Sequence, residues 1–275
     1  MTSNLRPSNL RQWLRHAAVF AITAALFAPA PAGAEVSSRL NEITKSKKLR
    51  VCQFPLYYSI SFRNPKTGVI EGIDADLAKE LAKELGAELE IVESSFGTFI
   101  ADLQANKCDI GMFALGASLQ RAQAVEFSKP YLITNVYAIT RKDGPIKSWN
   151  DVDKPGIKAA VTLGSYIEPF MKNYLKQAEL VSVAPPATRE GELVAGRVDV
   201  IMTDFPTAVK VTDEFDWAKS IEPPQKLAVT PYAYAVPQGD QVWLNFINLF
   251  IDTIKLDGRL KKYAEKNKLG PIVAP

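Results

Sequence analysis

The chain has 275 residues, 47% hydrophobic and 23% charged, with 15 Gly and 18 Pro. That composition is globular and excludes collagen-like, low-complexity and wholly disordered chains. The balance of 33 Lys+Arg against 30 Asp+Glu gives +3, and the excess lies in a segment that is expected to be removed.

Residues 1–34 carry Arg6, Arg11 and Arg15 and no acid, followed by an apolar run over 17–28 and by Ala32-Gly33-Ala34 before Glu35. A basic start, an apolar middle and an A-x-A end predict a cleaved secretory signal peptide. The apolar run is too short to span a bilayer, which needs about 20 residues. No twin-arginine pair is present and no Cys follows the cleavage site, so a periplasmic protein without a lipid anchor there is expected. Cleavage leaves 241 residues with 30 basic and 30 acidic side chains. A neutral exported protein has no electrostatic basis for holding nucleic acid. His16, the only histidine, leaves with the segment. Its loss excludes Ser-His-Asp and Cys-His catalysis, H-E-x-x-H zinc sites and histidine pH switches. No metal or cofactor is expected.

Residues 49–54 read as a strand. Ile73, Leu77, Leu81 and Leu85 recur every four residues, with acids in the first turn and Gly86 as a stop, which predicts a helix over 73–85. A strand over 89–92, a helix over 98–105 and a strand over 108–113 follow. This alternation predicts a parallel sheet covered by helices. The plan then recurs. Leu103-Gln104-Ala105-Asn106-Lys107-Cys108-Asp109-Ile110 resembles Leu193-Val194-Ala195-Gly196-Arg197-Val198-Asp199-Val200, 90 residues on. Two copies predict two α/β lobes of similar build, not a solenoid. The expected division is 35–138 for lobe 1, with 231–275 returning to it as helix over 241–269, and 139–230 for lobe 2. Extended stretches at 131–142 and 227–237, rich in β-branched and aromatic residues, are predicted to cross between the lobes as a hinge.

Cys52 and Cys108 remain after cleavage. Export favours a disulfide between them; the alternative is a pair of buried free thiols.

Ligands of parallel α/β sheets gather at the carboxyl ends of strands. The predicted strand ends lead to Tyr57 and Tyr58, to Phe96, to Ser118 and Arg121, to Gly164-Ser165-Tyr166, and to Asp204 with Phe205. Arg grips a carboxylate through paired charge-assisted bonds. N–H groups at a helix start add anion donors, Asp accepts from an ammonium, and aromatic faces enclose an apolar body. The set suits a small zwitterion. Taken singly, Arg121 also fits a solvated helix charge, Asp204 a helix cap ahead of Pro206, and the aromatics a core.

Several segments resemble the periplasmic solute-binding proteins of ABC importers, specifically the polar amino-acid-binding group (type II, family 3). Gly72-Ile73-Asp74-Ala75-Asp76-Leu77-Ala78 is similar to that family's G-F-D-x-D-L-A, and Phe127-Ser128-Lys129-Pro130-Tyr131 to its F-S-x-P-Y. Ser118-Leu119-Gln120-Arg121 stands where the family has T-x-E-R, Gly164-Ser165-Tyr166 at its G-T-T/S turn, and 199–204 matches its D-(A/V)-x-x-x-D strand. The resemblance implies a two-lobed fold closing on a small amino acid or related carboxylate. Arg121 would hold the carboxylate with Ser118, Gly164, Ser165 and Tyr166 assisting; Asp204 would hold the ammonium; Tyr57 and Phe96 would be walls. It also implies an inner-membrane ABC permease as partner and a monomer. Ser118 and Gln120 depart from the pattern, and Tyr166 replaces a small residue.

The function expected is solute capture without catalysis. Two alternatives share the fold: a periplasmic dehydratase or lyase acting on a prephenate-like acid, with Asp204 or Glu168 as general acid, and a ligand-sensing partner of a receptor.

Overall fold

The computed structural model describes residues 37–275; the predicted signal peptide lies outside them. Helix α1 (Arg39–Ser46) leads into β1 (Lys48–Gln53). A small hairpin, β2 (Phe62–Arg63) and β3 (Ile70–Glu71), precedes α2 (Ile73–Leu85). The apolar stripe of α2 is buried at Ile73, Leu77, Leu81 and Leu85, and Gly86 closes it in the left-handed conformation. Gly72 opens it at φ +130°, where a Cβ would stand 2.4 Å from the Ile60 carbonyl oxygen; only glycine fits there. Then come β4 (Glu88–Glu93), α3 (Phe99–Gln104), β5 (Ile110–Gly116), β6 (Glu126–Phe127) and β7 (Leu132–Thr134).

The next elements are β8 (Val136–Arg141), β9 (Lys158–Thr162), α4 (Ile167–Tyr174), β10 (Glu179–Val183), α5 (Arg189–Val194), β11 (Val200–Asp204), α6 (Phe205–Glu214) and β12 (Ala218–Ile221). Strand β13 (Thr230–Val236) is followed by α7 (Gln241–Leu256) and α8 (Arg259–Lys266). The helical return expected over 241–269 is made by two helices. Gly258, at φ +83°, takes a left-handed turn that no helix continues through.

Two sheets result. The first runs β4-β1-β5-β13-β6, with β7 also on β13; the second runs β10-β9-β11-β8-β12. In each, three parallel strands are joined at one side by an antiparallel strand, β13 on β5 and β8 on β11. This is the two-lobed α/β architecture anticipated above, and the repeat has a structural cause. Asp109 and Asp199, 90 residues apart, each sit just before the central strand. The carboxylate of Asp109 accepts the Arg50 N–H at 2.8 Å, and that of Asp199 accepts the Lys158 N–H at 2.8 Å. Each ties the neighbouring parallel strand to the same register.

Along β8, β9 and β11 alternate residues enter opposite cores. Ala138, Val161 and Met202 pack on one face, and Ile139, Ala160 and Ile201 on the other, as expected of a sheet covered on both sides. In the first lobe α7 buries Trp243, Ile247 and Ile251 against the sheet. Cys52 of β1 and Cys108 ahead of β5 are joined in a disulfide with Cα atoms 5.6 Å apart. The bridge links β1 to the segment entering β5, its parallel neighbour.

The chain changes sheets at Asn135, between β7 and β8. The segment expected to cross as one strand over 131–142 is therefore two strands in different sheets. It is tied to the second passage by the Thr134–Thr230 pairing and by the Val136 N–H to the Leu227 carbonyl at 3.1 Å.

Candidate functional site

Arg121 opens a short 3-10 turn after β5. Its Nη1 donates to the Gly116 carbonyl at 2.8 Å in the first lobe, and its Nη2 to the Gly164 carbonyl at 2.7 Å in the second. The guanidinium lies 5.3 Å from the Phe99 ring centroid, within cation–π range. Burial lowers its pKa to about 10, so it is charged at neutral pH. No carboxylate pairs with it among the described residues. Ser118 is exposed at the cavity, and its Oγ accepts the Arg121 N–H at 3.2 Å within the turn that carries the guanidinium.

The turn carrying Gly164, Ser165 and Tyr166 adopts a different role from the one expected. The Gly164 N–H, a candidate anion donor, already donates to Glu168 at 2.6 Å, and the Ser165 N–H donates to Thr162. Gly164 contributes its carbonyl to Arg121 instead. Ser165 is 8% exposed and its hydroxyl has no partner among the described residues. Glu168 also accepts from Ser182 Oγ at 2.6 Å, so both its oxygens are engaged. The Tyr166 ring packs edge-on against Tyr232 at 5.9 Å.

Asp204 ends β11 and caps α6. Its Oδ1 accepts the Thr207 N–H at 3.2 Å. Its Oδ2 accepts from the hydroxyls of Tyr57 and Tyr232, which also meet each other at 2.9 Å. Desolvation and the Asp204 charge push both tyrosines well above the usual phenol range, so they remain donors. Tyr57 and Phe96 meet at 5.4 Å, and Phe54 lies 5.2 Å from Phe96. These aromatics form one wall continuous with the first core.

Tyr232 was not singled out from sequence, although it lies on β13, a stretch read as a lobe crossing. Asp74 was missed as well. Fully buried on α2, it accepts from Ala114 N–H at 2.7 Å, Tyr131 at 2.6 Å and Tyr234 at 3.0 Å. Burial raises its pKa to about 7.

A cavity of about 610 Å³ adjoins Arg121, walled by Phe96, Phe99, Ser118, Ser165 and Tyr166. Asp204 does not line it. On the Tyr57 side the space between the lobes narrows to about 20 Å³. A separate groove of about 440 Å³ runs past Tyr58 and Phe215, bridged by Lys268–Asp213 at 2.6 Å. Among the described residues no cluster of three or more His, Cys, Asp or Glu is placed to hold a metal ion, and no helix is long and apolar enough to cross a membrane.

With this geometry in hand, known proteins are informative. A sequence model of bacterial extracellular solute-binding proteins, family 3, matches residues 49–268. The cyclohexadienyl dehydratase of Pseudomonas aeruginosa is 28% identical over 230 residues, covering 83% of this chain and 85% of that protein. The L-cystine-binding protein TcyJ of Escherichia coli is 26% identical over 236 residues, 82% and 85% of the two chains. The crystal structure of the ancestral amino acid-binding protein AncCDT-1, a precursor of cyclohexadienyl dehydratase, superposes with a TM-score of 0.76 at 34% identity, covering 83% and 99%. The family match over most of the chain, with two lobes and a partly buried arginine between them, places this protein among the family 3 extracellular solute-binding proteins of bacteria.

Proposed function

We propose that this chain is the periplasmic capture component of an ABC importer, closing its lobes on a small amino acid or related carboxylate and presenting it to an inner-membrane permease. The lobes in this reading are 37–135 with 230–275, and 136–229, acting as a monomer. The observation that carries it is Arg121. A partly buried guanidinium spans both lobes, is held by two neutral carbonyls, and has no counter-anion among the described residues. A ligand carboxylate supplies the missing charge, and low local polarity strengthens that bond. Relatives named for amino-acid binding support the reading.

Refolded protein, stripped of ligand, is titrated by calorimetry against amino acids and small carboxylates. Binding at 1 μM corresponds to about −8.2 kcal/mol. Arg121→Ala is expected to abolish it while circular dichroism is unchanged; retained affinity would discard the reading.

A dehydratase is the second reading, favoured by the Pseudomonas aeruginosa relative. Against it, the candidate acids Glu168 and Asp204 have both oxygens engaged by N–H and O–H donors, leaving neither aimed at a leaving group. Incubation with prephenate is expected to give no aromatic product; turnover lost in Glu168→Gln or Asp204→Asn would reverse that expectation.

A further inference from the structure

We propose that the ligand is an organic carboxylate without an α-ammonium group, because the hydroxyls of Tyr57 and Tyr232 stand on Asp204 where such an ammonium would dock. The inference rests on the capture reading and narrows its ligand class.

Three observations converge. First, Asp204 is 3% exposed and accepts on both oxygens, from Tyr57, Tyr232 and the Thr207 N–H. An arriving ammonium has to compete with both tyrosine hydroxyls for Oδ2 or approach Oδ1 past the Thr207 N–H. Tyr232 is fully buried within β13 and Tyr57 nearly so. Among the described residues the other hydrogen bond of each hydroxyl is to its tyrosine neighbour. Displacement would cost at least one buried O–H its charged acceptor, which is disfavoured.

Second, the open volume lies on the guanidinium side. The cavity of about 610 Å³ adjoins Arg121 and Lys172, and its one carboxylate, Glu168, is held by Gly164 and Ser182. The free charge facing that space is positive. Asp204, Tyr57 and Tyr232 do not line it.

Third, the cavity lining includes two buried hydroxyls without a partner among the described residues, those of Ser165 and Tyr166. A hydroxyl both donates and accepts. It can donate to a carboxylate oxygen or to a 2-oxo or 2-hydroxy oxygen. Phe96, Phe99 and Ile100 supply apolar walls for the rest of the molecule. The class is therefore a carboxylate with an apolar body and, at its α carbon, hydrogen or a neutral oxygen.

The test uses matched pairs: each common amino acid against its 2-oxo acid, for example L-phenylalanine against phenylpyruvate. Stripped mature protein is titrated with both members. The expected result is at least one pair in which the oxo acid binds tenfold or more tightly than the amino acid, with binding lost in Arg121→Ala. The double variant Tyr57→Phe/Tyr232→Phe frees one Asp204 oxygen and is expected to narrow that ratio. If amino acids bind at least as well as their oxo acids, through Arg121 and Asp204, the inference is overturned and the capture reading stands. If no member of any pair binds, both are overturned.

Discussion

Gly97 of the first lobe and Gly164 of the second meet so closely that a Cβ placed on Gly164 would stand 2.8 Å from both the Cα and the N of Gly97. Gly164 is also at φ +74°, where an L side chain is strained. The contact exists only when the lobes are together, so a methyl group there opposes closure as well as local backbone geometry.

Gly164→Ala is expected to separate those two effects. The backbone strain should lower unfolding stability by about 1 kcal/mol. The interlobe clash should weaken ligand binding further, by about tenfold or more, equivalent to 1.4 kcal/mol. Calorimetry and small-angle scattering with saturating ligand check this. An unchanged affinity together with wild-type compaction would mean that the approach of Gly97 and Gly164 does not limit closure.

The disulfide closes a loop of 56 residues between β1 and the start of β5. Chain-entropy arguments give such a closure about 4 kcal/mol of stabilisation. The Cys52→Ala/Cys108→Ala double variant should unfold at lower urea, with a steeper denaturant slope because the unfolded chain is no longer cross-linked. Thiol titration of unfolded, unreduced wild type should find none of the 52 and 108 thiols free; two titratable thiols would contradict the bridge.

Much of this arrangement is legible in the sequence because it rests on short-range signals. The four-residue spacing in α2 and the repeated Leu103 and Leu193 segments report burial and topology directly. Asp109 and Asp199 stand out because each lobe needs the same carboxylate at the same strand. Arg121 and Asp204 are found by looking past strand ends. What stays hidden depends on partners distant in sequence. Tyr232 reaches Asp204 only because β13 returns to the first sheet beside β5. The Gly164 N–H is removed from the anion-binding set by Glu168, four residues on, through a bond that turn spacing alone does not reveal. Asp74 looks like an ordinary first-turn acid, yet folding buries it beneath Tyr131 and Tyr234.

Asp74 makes stability depend on pH. Desolvation raises its folded pKa to about 7, against the pull of hydrogen bonds from Tyr131, Ala114 and Tyr234. Its unfolded value is about 3.9. Between those limits the folded state holds a proton that the unfolded chain has lost, so stability falls as pH rises through the window. The contribution is fully present below pH ~4 and gone above pH ~7. Asp74→Asn mimics the protonated form and removes the dependence. The stability difference, wild type minus variant, should fall by roughly 2–3 kcal/mol between pH 5 and pH 8. Urea titrations at the two pH values measure it. A difference that does not change with pH would mean that Asp74 is ionised throughout.

Arg121→Lys tests whether charge alone suffices at the cleft. The guanidinium reaches Gly116 and Gly164 with separate nitrogens, holding one carbonyl in each lobe while keeping a flat face over Phe99. An ammonium is a single point of charge with no fork. Its three donors radiate from one nitrogen, so it cannot span the lobes and present paired, coplanar donors. Ligand affinity is therefore expected to drop by about a hundredfold, equivalent to 2.8 kcal/mol, with the unfolding midpoint nearly unchanged. A Lys variant within threefold of wild type would assign Arg121 the role of a general positive field. A variant that binds normally yet closes incompletely by scattering would assign it to the lobe contact instead of the ligand.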